Sequence, residues 1–140
     1  MSYPLFIMST IKDASYPITL DKERRLYYSL NAVDEMQDKF GGIDKLGEAL
    51  SGKTQLKNLV WVITLGLNEG AALEQFLKSG STEGAEILPE RTVALLVNTG
   101  NMSEIQGAFY KAFRTAGSGK AELSPDEIED AKNLKAGKPT

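Results

Sequence analysis

The sequence predicts an α+β fold that is mainly α: an N-terminal β-hairpin, a compact bundle of about five helices, and a weakly structured C-terminal tail. Three observations predict it. Two short stretches rich in Tyr, Ile, Thr and Leu flank the polar segment Asp21-Lys22-Glu23-Arg24. Beyond Leu30 the apolar spacing changes from strand-like to helical. The segment Gln55 to Glu69 is the most apolar part of the chain and suits a central helix.

The hairpin is read from Tyr16–Leu20 and Arg25–Leu30, joined by a four-residue loop. Alternation places Leu26, Tyr28 and Leu30 on one face, built for burial, and Arg25, Tyr27 and Ser29 on the other. Before it, the arm at residues 1–15 carries an apolar run, Tyr3 to Met8, which reads as an edge strand or a partly ordered arm.

Asn31 is placed as the N-cap of the first helix, with Asp34 and Glu35 in its first turn. Val33, Met36 and Phe40 form its apolar stripe, and Gly41-Gly42 stops it. A short helix follows from Ile43, with Leu46 and Leu50 inward. Thr54 is the expected cap of the central helix, whose inward face holds Leu56, Leu59, Val60, Ile63 and Leu67. A buried strand over Leu59–Leu65 is the competing reading, and the length from cap to Gly70 favours helix. Gly70 is expected to end that helix, with Ala71–Lys78 a further helical piece and residues 79–84 a surface loop.

Pro89 is expected at the first position of the next helix, with Val93, Leu96 and Val97 inward and Gly100 as terminator. Ser103 and Gln106 form a capping-box pattern. The helix after it turns Ile105, Phe109, Ala112, Phe113 and Ala116 to one side. Gly117-Ser118-Gly119 reads as a break, so the domain is bounded at residues 16–116 and the tail at 117–140. Ser124-Pro125-Asp126-Glu127 is a helix start, but only Ile128 and Leu134 follow as large apolar residues. A frayed helix or a disordered tail is expected there.

Composition narrows the chemistry. The chain has 140 residues, 41% of them apolar, 25% charged, with a net charge of -3. That size and apolar share can bury a core. The acidic balance argues against a nucleic-acid binder. With no Cys and no His, disulfides, thiolate nucleophiles, imidazole bases and the usual zinc ligands are excluded. Carboxylate, Lys, Tyr and Ser chemistry remain. Gly117-Ser118-Gly119-Lys120 lacks the spacing and the Ser or Thr of a phosphate loop and reads as linker. Asp126, Glu127, Glu129 and Asp130 lack the order of a calcium loop and read as solvated charge. Leu59–Leu65 falls far short of the ~20 residues a bilayer needs. No basic start precedes the first apolar run, so a signal peptide is not expected and a cytoplasmic chain is.

No recognisable acid/base frame is set by the spacing, and the chain is expected to bind proteins without catalysis or cofactor. The candidate contact residues are the basic turn Lys22, Arg24 and Arg25, together with Tyr27, Trp61 and Tyr110. Trp61 is the sole Trp, a core residue by its apolar setting or an interface anchor if exposed. Tyr27 and Tyr110 lie off the inward faces.

The order of elements carries a resemblance. Arg25-Leu26-Tyr27-Tyr28-Ser29-Leu30-Asn31-Ala32 runs into an acidic helix ending Lys39-Phe40-Gly41. A Trp-bearing helix with Gly66-Leu67-Asn68-Glu69 follows, then Leu88-Pro89-Glu90-Arg91-Thr92-Val93, then Asn101-Met102-Ser103-Glu104-Ile105 leading to Tyr110-Lys111-Ala112-Phe113. Over residues 16–116 this resembles the tail assembly chaperones of long-tailed bacteriophages, prophages and gene transfer agents. The resemblance implies an α-rich protein of the bacterial cytoplasm that coats the tape measure protein, helps recruit tail tube subunits, and is absent from the mature virion. Homo-oligomers are an option for a coating protein, and many members have a longer frameshifted form; the charge and the short apolar runs give no expectation of a nucleic-acid or membrane partner. The Gly137-Lys138 pair is where slippery codons would fall. The alternative is a small helical regulatory or nucleic-acid-binding protein, with residues Pro89–Thr115 imitating a helix-turn-helix.

Overall fold

The computed structural model describes residues 14–118, and the expectations for the arm before them and the tail after them lie outside that range. Strands β1 (Tyr16–Thr19) and β2 (Glu23–Leu26) form a two-stranded antiparallel sheet. Five helices follow: α1 (Leu30–Phe40), α2 (Leu46–Ala49), α3 (Gln55–Ser79), α4 (Glu90–Leu96) and α5 (Met102–Ser118). A 3₁₀ turn at Ile43–Lys45 leads into α2. The expected α+β, mainly α architecture is the one observed.

The hairpin is tighter than its sequence reads. Thr19 pairs with Glu23 and Tyr16 with Leu26, so the turn is Leu20-Asp21-Lys22 and β2 starts at Glu23. β2 ends at Leu26, and the alternation holds only as far as Tyr28. Leu26 and Tyr28 are buried, but Leu30 is 85% exposed. The cause is a cap one step earlier than expected. Ser29, not Asn31, accepts the Ala32 N–H through its hydroxyl, so Leu30 is already the first helical residue and turns outward. Asp34 and Glu35 consequently fall beyond the first turn. Gly41, at φ 84°, closes α1 as expected.

Helix α3 is the spine. It is one helix of 25 residues, about 37 Å long. Gly70 does not end it. Gly70 sits where the hairpin crosses: a Cβ there would lie 2.1 Å from the Arg25 carbonyl oxygen. One turn earlier, a Cβ on Gly66 would meet the Tyr28 hydroxyl at 2.5 Å. The bare face made by these two glycines lets the chain leaving β2 lie against the helix. There the Tyr27 N–H donates to the Gly66 carbonyl at 3.0 Å. The Tyr28 hydroxyl donates to the Val62 carbonyl at 2.7 Å, and Ser29 Oγ bonds Glu69 Oε1.

The core gathers around this crossing. Leu26, Tyr28, Met36, Leu59, Val62, Ile63, Val93, Ile105 and Phe109 are all buried in one cluster. Tyr28 meets Phe109 edge-on at 5.2 Å between centroids. The buried and partly buried face of α5 is the expected one: Ile105, Phe109 and Ala112 are fully buried, with Phe113 and Ala116 against them. Leu56 departs from its expected inward place: it is 60% exposed and faces the space beside α4, while Leu59 three residues on is buried.

Caps differ in detail. Thr54 makes no side-chain cap bond. Pro89 precedes α4 as its cap, one residue before the expected position. α5 starts at Met102, so Ser103 lies inside the helix rather than capping it, and the helix runs on to Ser118 across the expected break. Asn98 and Asn101 organise the turn between α4 and α5, with Asn98 Oδ1 accepting the N–H groups of Gly100 and Asn101.

The two glycine environments give opposite expectations. Gly70→Ala gains helix propensity yet drives a methyl into backbone, and is expected to destabilise by about 3 kcal/mol, the upper range for overpacking. Gly107→Ala, with nothing within 4 Å of its Cβ, is expected to stabilise by about 0.5–1 kcal/mol. Urea unfolding of the two variants checks both signs.

Candidate functional site

The basic turn is committed to internal bonds. The Arg24 guanidinium donates to both carboxylate oxygens of Asp21 at 2.8 Å and reaches Glu86 Oε1 at 3.3 Å. Its side chain is only 11% exposed. Lys22 Nζ lies 3.0 Å from Glu86 Oε2. Arg25 points elsewhere, donating to Ser15 Oγ at 2.5 Å and to the Ser15 carbonyl at 3.0 Å. These three cations staple the hairpin to the loop after α3 and to the residue preceding β1. They border a polar cleft with Glu74, Gln75 and Lys78, lined by charges of both signs.

Electrostatics follow the same geometry. The Arg24 hydrogen bonds hold the Asp21 carboxyl down to about 2. Lys22 and Arg24 likewise lower Glu86. Burial pushes the Tyr28 phenol well up.

Among the other sequence-selected residues, Tyr27 is half-buried with its backbone on Gly66. Tyr110 does not stand free on the surface. It packs at 5.2 Å against Phe109, and burial raises its phenol while a Gln106 hydrogen bond opposes that shift.

Trp61 is placed differently from either simple expectation. One part of its ring packs edge-on to Phe40, at 5.6 Å between centroids. Lys39 Nζ sits 4.9 Å from the ring centroid. Trp61 also lines an open groove of about 750 Å³ between the first turns of α3 and helix α4. Leu56, Val60, Ala94 and Leu95 supply the rest of its apolar lining. Leu56 is 60% and Leu95 73% exposed. Large exposed leucines beside a Trp form the kind of patch that marks a contact surface.

The groove also has a charged rim. Lys39, Lys57 and Arg91 line it, with Glu90 as the one carboxylate among the lining residues. None of the three cations forms an ion pair with a carboxylate among the described residues. The contrast with the hairpin turn is physical. There each cation has an anion or a carbonyl in reach, while here Lys39 rests on the Trp61 ring and Lys57 and Arg91 are exposed.

Trp61 stands out in the sequence as a contact candidate, whereas Leu56 and Val60 read there as core residues and Leu95 is unmarked. Leu95 falls off the α4 stripe of Val93, Leu96 and Val97, and an apolar residue off its stripe is the signal that would have found it. The cations come from three separate elements, and no local pattern joins them. The groove and the hairpin turn are separate surfaces, so the six selected residues do not form one site.

Helix α5 turns its apolar side to the core, whereas α4 buries Val93 and leaves Leu95 outward. Exposed positions on α5 are Ser103, Glu104, Gly107 and Lys111. No helix among the described residues is long and apolar enough to cross a membrane. No group of three or more potential metal ligands occurs among the described residues. No family model, curated protein or solved structure matches the chain.

The Asp21–Arg24 bond gives a pH expectation. A carboxyl held below its unfolded value of about 3.9 adds stability that is complete above that value and is lost as pH falls toward about 2. NMR titration of the Asp21 carboxyl should show the low midpoint, and Arg24→Gln should return it to the ordinary range. An Asp21 midpoint near 4 in the unmodified chain would mean the hairpin turn is not so ordered.

Proposed function

We propose that this protein is a tail assembly chaperone: it binds the tape measure protein of a long-tailed phage or prophage and helps recruit tail tube subunits, without catalysis. The observation that carries the reading is the apolar groove of Leu56, Trp61 and Leu95 between two helices. Holding an unassembled chain requires apolar surface that a partner can cover, and no reacting group. The order of hairpin, acidic helix and Trp-bearing helix, which carries the family resemblance, supports the choice of partner. Work in the bacterial cytoplasm and absence from the mature virion belong to the same proposal.

Helix α3 explains how such a surface survives folding. Its middle turns are covered by β2 and the chain leaving it, while in its first turns Leu59 and Val62 face the core and Leu56 faces outward. Leu56 and the uncovered part of Trp61 are thus left for another chain.

Co-expression with the cognate tape measure protein, sought among the genes flanking this one, tests the reading. Co-purification in mild salt, with the tape measure protein kept soluble, is expected. An insoluble tape measure protein with none retained on the tagged chain would refute it.

A further inference from the structure

We propose that the groove between α3 and α4 seats a short amphipathic helix of the tape measure protein, with apolar anchors on Leu56, Trp61 and Leu95 and acidic residues along its flanks. This inference rests on the tape measure reading above and adds the form and charge of the segment that is held.

The form follows from the walls. Both are helices, whose backbone groups are bonded within themselves, and neither strand of the sheet lines the groove. An extended segment laid there would bury peptide groups with no partner, at a cost for each. A helix brings its own backbone bonds and needs only side-chain contacts. The wall on α3 runs from Leu56 to Trp61, roughly 8 Å along the axis. About two turns of the occupant cover it, with anchors spaced i to i+3 or i+4.

The charge follows from the rim. Lys39, Lys57 and Arg91 surround the apolar floor against the single carboxylate of Glu90. The chain as a whole carries a net charge of -3. A positive rim on an acidic protein favours acidic flanks on the partner and disfavours basic ones. The hairpin-turn cations cannot serve this purpose, because Asp21, Glu86 and Ser15 already occupy them.

The test uses the full chain and fluorescein-labelled peptides that tile the tape measure protein, read by anisotropy. The peptides that bind should be acidic and amphipathic. Leu95→Glu should weaken them about tenfold or more, as expected for an anchor contact. The double variant Lys57→Glu/Arg91→Glu should weaken them at low salt, and exchanging the peptide's acidic residues for Lys should restore its binding. Leu30→Glu, at an exposed leucine outside the groove, should change affinity less than about twofold. Circular dichroism should be unchanged in all of them. If the full-length tape measure protein co-purifies equally with the groove variants, the groove assignment falls while the chaperone reading stands. If it fails to co-purify with the unmodified chain, both fall. If the groove variants alter only the chain's own oligomeric state in sedimentation, the groove is a self-interface and the proposal is overturned.

Discussion

The Arg25 carbonyl occupies the space that a side chain on Gly70 would need, and the rest of the fold depends on that approach. Helix and hairpin backbones meet without intervening side chains. Tyr27 then reaches the Gly66 carbonyl, Tyr28 the Val62 carbonyl, and Ser29 the Glu69 carboxylate. Four successive contacts set both the position and the rotation of the chain as it leaves β2. Ser29 also caps α1, so the same contacts aim the next helix. A two-stranded hairpin is marginal alone in water. Here it is stable because α3 and the aromatic cluster of Tyr28, Phe109 and Phe113 cover its inner side.

From that spine the other segments are tied by side-chain amides. Asn68 pairs with both backbone groups of Leu88, accepting its N–H at 2.8 Å and donating to its carbonyl at 3.0 Å. Asn58 donates to the Ala49 carbonyl at 2.8 Å and so fixes the end of α2. The Asn68–Leu88 pair places the start of α4 beside α3 and thereby forms one side of the groove. The hairpin cations act on the same loop from the other end, through Glu86. The polar groups nearest the core thus serve architecture, and Lys39, Lys57 and Arg91 around the groove are outside that bonding.

Much of this was legible in the sequence, and the failures have physical causes. The hairpin, the Gly41 stop, the inward stripe of α5 and the central position of α3 all follow from local periodicity and turn chemistry. Gly70 misled because a glycine in a helical pattern reads as an end, whereas its cause is a strand backbone some 45 residues earlier in sequence, a tertiary fact. Leu30 misled because strand alternation was carried past a cap that Ser29 supplies. Lys22 and Arg24 looked available because their partner Glu86 lies 64 and 62 residues away. Trp61 could be singled out, but Leu95 and the three rim cations come together only through folding.

The central claim is that Trp61 and its neighbours are the surface on which a partner chain rests. Since Trp61 is the only Trp, labelling the chain with 5-fluorotryptophan gives a single ¹⁹F resonance at the groove. Titration with the tape measure protein should shift or broaden that resonance in step with binding, and Leu95→Glu should move the response to about tenfold or more higher concentration. A resonance unmoved at saturation, with the complex demonstrably formed, would place the contact elsewhere and contradict the account.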